Sequence, residues 1–278
     1  MTTETPPLAQ PATPVPAPEG RLVLHQEDGI GWIVIDHPTR RNALTRAMFE
    51  ALGAAVRDYA ADPAVRVIVL RGAGDKAFIS GGDISEFGQN RSTLEAVRAG
   101  DAVMLRTYQS MEACAKPTIA MIRGFCLGGG LNVAAACDLR FAADDARFAV
   151  PAAKLGVSYR FSAIERLANL VGAANTAEIM FTARQFDAHA ALRMGLVNRV
   201  LPVAELENWV TDTARTIAAN APLTIAAAKR ALREWRKDAA SRDLEGCGAA
   251  EDACFTSADY IEGRTAFGEK RRPDFKGR

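Results

Sequence analysis

Two glycine-rich segments hold the residues best suited to chemistry. The first is Ala77-Phe78-Ile79-Ser80-Gly81-Gly82-Asp83-Ile84, directly after a β-branched run. The second is Gly124-Phe125-Cys126-Leu127-Gly128-Gly129-Gly130, which also follows a predicted strand and opens a helix of small residues. Glycine lets backbone N–H groups point into a pocket and lets a ligand come close. At a helix N-terminus those N–H groups are unpaired and carry the positive end of the helix dipole. One N–H from each segment, converging on a single oxygen, would form an oxyanion hole. The alternative is a pair of tight turns that bind nothing.

Nucleotide chemistry is excluded. Gly72-Ala73-Gly74-Asp75-Lys76-Ala77 matches the dinucleotide fingerprint, but that fingerprint must open a helix, and Phe78 to Gly82 is a glycine-broken loop. Neither glycine run is followed by the Gly-Lys-Ser/Thr of a phosphate-binding loop. Asp83 and Glu86 follow the first segment, where acids more readily cap the next turn than catalyse.

The elements that must position these residues are legible in outline. Residues 1–20 carry six prolines and few core-forming side chains, the pattern of an extended or disordered tail. Leu22–His25 and Gly31–Ile35 flank Asp28-Gly29 and read as a hairpin. Met48, Leu52, Val56 and Tyr59 recur at helical spacing between Thr45, a plausible cap, and Ala61. Val67–Leu70 is a short buried-strand run. Ser92-Thr93-Leu94-Glu95 reads as a capping box opening a helix toward Ala115. Thr118–Ile122 is the next strand, Leu131–Cys137 a small-residue helix, and Asp138–Ala142 and Phe148–Val150 further strands. Beyond residue 160 the chain looks helical apart from Val197–Val200. Strands alternating with helices, then a helical C-terminal third, give an α/β core over residues 21–200 with a helical region over 201–278.

Composition narrows the class. The 278 residues are 49% hydrophobic, enough for a large core, and the net charge of +1 offers no basic field for nucleic acid. No uninterrupted run of about eighteen apolar residues suggests a membrane span, and the N-terminus lacks the order of a secretory signal. The five cysteines form no CxxC pair, and the three histidines are scattered. No metal site is expected, and a reducing cytoplasm fits the cysteine usage.

Taken together, several stretches resemble the crotonase superfamily, the enoyl-CoA hydratases and isomerases, from about residue 21 to 278. They are His37–Leu44, Phe78–Phe87, Gly124–Arg140, Arg193–Val200, Asn220–Leu223 and Glu262–Arg271. The resemblance implies a spiral of ββα units with a helical trimerisation region, assembled as a homotrimer or a dimer of trimers. It implies an acyl-CoA thioester bound in a bent shape, with no separate cofactor because coenzyme A is part of the substrate. Gly82 and Gly129 would supply the oxyanion donors. Ser80, Asp83, Ile84 and Ala152 would line the substrate site. Arg40 and Arg41 match the loop that touches the CoA adenine and phosphates, though as residues they also read as surface charges. Phe267 and Lys270 match C-terminal residues that reach a neighbouring subunit's CoA, while Phe267 alone would read as helix core packing.

The chain departs from the hydratase pattern where the reaction is decided. The two expected glutamates are Asn132 and Ala152 here. A positioned acid or base is worth a factor of ~10² to 10⁴, and neither replacement moves protons. Decarboxylation of a malonyl-type thioester needs an enolate hole but no strong base. Leu155-Gly156-Val157-Ser158-Tyr159 resembles the methylmalonyl-CoA decarboxylase branch. Tyr159 would hold the carboxylate or enolate, or serve as a buried wall, and Arg160 would add charge if it faces inward. Asn132 is expected to line the site and Glu165 to lie on a solvated helix face. Another enolate reaction would use the same hole, and the alternatives are hydration with a different acid and base, and a non-catalytic acyl-CoA binder.

Overall fold

The computed structural model describes residues 20–83 and 93–278. Strands β1 (Arg21–Glu27) and β2 (Ile30–Asp36) form the expected antiparallel hairpin. Its turn residues Asp28 and Gly29 both have positive φ, 51° and 76°, the geometry whose twist suits a two-residue hairpin. Helix α1 (Arg46–Ala61) is capped by Thr45, whose side chain accepts from the Met48 N–H. Strand β3 (Val67–Gly72) then pairs parallel with β2.

From β3 onward the chain repeats one plan. Three times, a strand of the large sheet is followed by a short strand and then a helix. The units are β3, β4 (Ala77–Ile79) and α2 (Leu94–Ala113); β5 (Thr118–Ile122), β6 (Phe125–Leu127) and α3 (Gly129–Ala136); and β7 (Leu139–Ala143), β8 (Arg147–Ala149) and α4 (Ala152–Leu155). Helices α5 (Phe161–Thr182), broken at Gly172, and α6 (Ala188–Arg193) flank β9 (Phe186–Asp187), and β10 (Arg199–Leu201) closes the core. The long sheet runs β1-β2-β3-β5-β7-β10 and the short one β4-β6-β8-β9. This is the spiral of ββα units that the resemblance implies.

Alternation along the strands builds two cores. Ile33, Ile35, Ile68, Leu70, Ala120 and Ile122 pack with α1, α2 and α3 in the larger one. Ile30, Trp32, Val67, Val69, Ile119 and Met121 pack with Leu206, Val210 and Ala214 of α7 (Val203–Ala219) in the other. The boundary drawn at residue 200 therefore falls just before a helix that covers one sheet face. Helices α8 (Pro222–Trp235), α9 (Leu244–Phe255) and α10 (Ala258–Glu269) follow. Lys229 ties α8 to the core, its Nζ donating to Asp138 Oδ2 at 2.6 Å and to the Lys116 carbonyl at 2.8 Å.

Three local expectations need correction. Thr93 caps α2, accepting from the Ala96 N–H, and Ser92 lies outside the described residues. Helix α3 starts at Gly129 rather than Leu131, so the glycines belong to its first turn. The short strands β4 and β6 lie within stretches that read as glycine-rich loops, and β9 was not foreseen.

Candidate active site

The first glycine segment is held by a parallel bridge between Leu44 and Gly82. The Leu44 N–H donates to the Gly81 carbonyl and the Asp83 N–H to the Leu44 carbonyl, each at 2.9 Å. The second segment turns at Gly128, whose φ of 53° and ψ of −116° suit only glycine, and enters α3. Its N–H donates to the Ala149 carbonyl at 2.8 Å, so the next amide, Gly129, is left at the helix start without an intrahelical acceptor.

These two segments meet. A methyl built on Gly129 would sit 3.6 Å from the Gly82 nitrogen and 3.5 Å from the edge of the Phe49 ring. Among the described residues neither the Gly82 nor the Gly129 N–H has a protein acceptor. Gly130 serves another purpose: a methyl there would run into the Ile79 carbonyl, so glycine is what lets α3 approach β4. The arrangement brings two amides without a protein acceptor close together, one of them at a helix N-terminus.

A polar cluster lies beside them. Asn132 is three residues past Gly129, on the same helix face, and is buried. Its Oδ1 accepts from Arg166 Nη1 at 2.7 Å. Arg166, on α5, is only 6% exposed; its Nε donates to Glu112 at 2.8 Å and its guanidinium lies 4.7 Å over the Tyr108 ring. Tyr108 meets Phe49 edge to face, the ring centroids 6.3 Å apart. Burial pushes the Tyr108 hydroxyl up and the neighbouring Tyr159 pushes it further, while Arg166 and a hydrogen bond with Asn132 draw it back. It therefore stays protonated at neutral pH. The Tyr159 hydroxyl in turn lies 3.5 Å from where a Gly128 side chain would begin. Ala152 is buried at the start of α4 and presents a methyl where a carboxylate was the hydratase expectation.

Gly82, Gly129, Asn132, Tyr159, Tyr108 and Arg166 thus form one constellation. The sequence did not single out Tyr108 or Arg166; their helical spacing reads as ordinary amphipathic helix, and only the fold brings Arg166 to Asn132. Ser80 links the site to the Arg40–Arg41 loop: its N–H donates to the Arg41 carbonyl at 3.2 Å and its hydroxyl to the Arg40 carbonyl at 3.1 Å. Asn42, also not singled out, locks that loop. It is buried with a positive φ of 58°, accepts from the His37 N–H and donates to the Ala73 and Ala77 carbonyls. Arg40 and Arg41 are exposed, and Arg41 lies 5.3 Å over the Phe125 ring.

Other expected residues fall elsewhere. Arg160 does not face inward; it is exposed and pairs with Asp101. Glu165 is exposed on α5, as expected. Asp83 is buried beside Gly82. Ile84 and Glu86 lie outside the described residues. Phe267 is 87% exposed, which rules out core packing within the chain, and Lys270 caps α10 in the exposed left-handed conformation. Among the described residues no His, Cys, Asp or Glu group could hold a metal, and no helix is long and apolar enough to cross a membrane.

An α/β spiral that brings two glycine amides together in this way has counterparts among known proteins. The chain belongs to the crotonase superfamily: the model of the enoyl-CoA hydratase/isomerase family matches residues 25–278. It is 34% identical over 258 residues to the short-chain-enoyl-CoA hydratase of Clostridium acetobutylicum, covering 92% of this chain and 98% of that one. It is 36% identical to the crotonyl-CoA hydratase of Syntrophomonas wolfei, covering 91% and 97%. Among solved structures, an enoyl-CoA hydratase/carnithine racemase from Magnetospirillum magneticum superposes with a TM-score of 0.88 at 35% identity, covering 92% of this chain and 96% of that one.

Proposed function

We propose that this chain forms a thioester enolate by decarboxylating an acyl-CoA that bears a carboxylate on its α-carbon, as malonyl- and methylmalonyl-CoA do. The thioester carbonyl accepts from the Gly82 and Gly129 N–H groups. The bond between Cα and the carboxylate carbon breaks, CO₂ leaves, and the electron pair forms the Cα=C bond as charge moves onto the carbonyl oxygen. One proton, delivered from solvent, then adds to Cα and returns the thioester. Fixed donors aimed at the developing oxyanion lower this barrier without a strong base.

The observation that supports this reading is the identity of the groups at the two positions where glutamates were expected. The Asn132 oxygen is engaged by Arg166, Ala152 is a buried methyl, and the hydroxyls of Tyr108 and Tyr159 lie beside them. A second reading, hydration of a short enoyl-CoA, is favoured by the names of the hydratase relatives. It would require Tyr159 or the undescribed Glu86 to move the proton. A panel of malonyl-, methylmalonyl- and crotonyl-CoA followed by mass spectrometry separates the two. CO₂ loss from the first two with crotonyl-CoA untouched supports decarboxylation; water addition to crotonyl-CoA alone overturns it. Binding of all three without conversion would mark a non-catalytic binder.

The CoA moiety is assigned to Arg40 and Arg41 within one subunit and to Phe267 and Lys270 from a neighbour, and the protein to the cytoplasm. A homotrimer or dimer of trimers is supported by Trp235, Phe255, Ile261 and Phe267, large apolar side chains left exposed on α8–α10. Sedimentation at micromolar concentration should give a trimer or hexamer; a monomer defeats this assignment.

A further inference from the structure

The charge of Arg166 is already matched by Glu112, and its fork grips Asn132. A guanidinium has donors only, so an amide facing it must turn its oxygen toward it. The Asn132 Nδ2 is thereby turned away from Arg166, with one hydrogen toward the Tyr108 hydroxyl and the second left to donate elsewhere. Asn132 shares the Gly129 face of α3, one turn from the open amide. Without Arg166, the amide could flip and present its oxygen, which would repel an anion. The Tyr108 ring beneath the guanidinium and the Glu112 carboxylate beside it hold Arg166 in one orientation.

We propose that Arg166 is a positioning residue that fixes Asn132 as a neutral hydrogen-bond donor, and so makes the site selective for acyl-CoA thioesters carrying an anionic group next to the thioester carbonyl. This rests on the proposed preference for a carboxylated acyl group, but not on turnover. The Arg166–Glu112 pair has no net charge, so the substrate anion meets the remaining uncharged N–H of Asn132 rather than a cation. A bare cation would stabilise the carboxylate in the ground state and oppose loss of CO₂; an uncharged donor orients it at smaller cost.

Binding tests this directly. The probes are sulfoacetyl-CoA, in which a sulfonate stands for the carboxylate and cannot leave as CO₂, and acetyl-CoA as the uncharged comparison. Calorimetry on the intact protein should show the wild type preferring sulfoacetyl-CoA by tenfold or more. Arg166→Lys, which keeps the charge and loses the fork, should remove most of that preference while moving the acetyl-CoA Kd by less than twofold. Asn132→Asp keeps an acceptor for Arg166 and loses the donor, so it should do the same even if Arg166→Lys folds poorly. Because the two residues act as one unit, the double variant should lose no more than Asn132→Asp alone. Equal wild-type affinity for both probes overturns the proposal, as does an equal loss for both probes in the variants. Selective binding without CO₂ release from malonyl-CoA sinks the decarboxylation reading and leaves this one standing. Unchanged CO₂ release with unchanged selectivity in Asn132→Asp does the reverse.

Discussion

Methyl groups at Gly129 and Gly130 would have different fates, although the residues are neighbours. At Gly129 the nearest atoms lie at 3.5–3.8 Å, ordinary contact distances, so Gly129→Ala should fold. Its methyl would stand beside the Gly82 nitrogen, in the space a thioester oxygen needs, and turnover should fall by about 10² to 10³, as for loss of one oxyanion donor. Gly130→Ala should instead unfold at a lower denaturant concentration, because its methyl meets the Ile79 backbone. Circular dichroism melts alongside kcat would check the pair; equal melting losses in both variants would refute the distinction. Asn132→Glu carries a related expectation. A carboxylate there would meet Arg166, which favours its ionised form and makes it a weak base. Hydration of crotonyl-CoA should stay within tenfold of the wild-type rate, and a gain well beyond that would show that Arg166 does not restrain the new acid. The glycine segments were legible because the positive φ at Gly128 and the close backbone approach at Gly130 demand that residue type. Arg166 was not, because a single arginine in an amphipathic helix carries no local mark of its partner 34 positions away.

Helices and strands were legible in proportion to their length. The long helix α1 shows helical periodicity, and the apolar runs of β3 and β5 are continuously buried over four and five residues. Strands β4 and β6 have three residues each, too few for alternation to register, and lie in glycine-rich sequence, whereas the equally short β8 was legible as the apolar run Phe148–Val150. Yet these short strands set the site, since β4 and β6 lead directly into the two open amides. The cap on α1 matters for the same reason, because this helix carries Phe49 against Gly129. Thr45→Ala removes the acceptor for the Met48 N–H and should cost about 1 kcal/mol. Urea unfolding should show a lower midpoint with an unchanged slope; an unchanged midpoint would mean that the chain around Leu44 holds α1 without its cap.

At the scale of the whole molecule, the last residues fold back and fasten the C-terminal helices to the core. Asp259 accepts from the Lys276 and Gly277 N–H groups at 2.7 and 2.8 Å, and Arg66 donates to the Phe275 carbonyl at 3.2 Å. Glu262 takes both Arg271 nitrogens, at 2.6 and 2.9 Å, and the Asp274 N–H at 2.8 Å. This clasp directly follows Phe267 and Lys270, so it fixes where those residues stand. The Arg271 guanidinium, with the Asp274 N–H, holds the Glu262 carboxyl down from 4.5 to about 2. A depressed carboxylate stabilises the fold fully above its ordinary value, and that contribution fades as pH falls toward the lowered one. The clasp should therefore be intact at pH 6 and weaken progressively between pH 4.5 and 2. Hydrogen exchange read by mass spectrometry should show the C-terminal peptide losing protection in that window before the core strand Thr118–Ile122 does. Glu262→Gln, which no longer titrates, should leave the tail equally open at pH 6 and pH 3. If the wild-type tail stays as protected at pH 3 as at pH 6 while the core is intact, Glu262 does not hold it, and Asp259 with Arg66 must suffice.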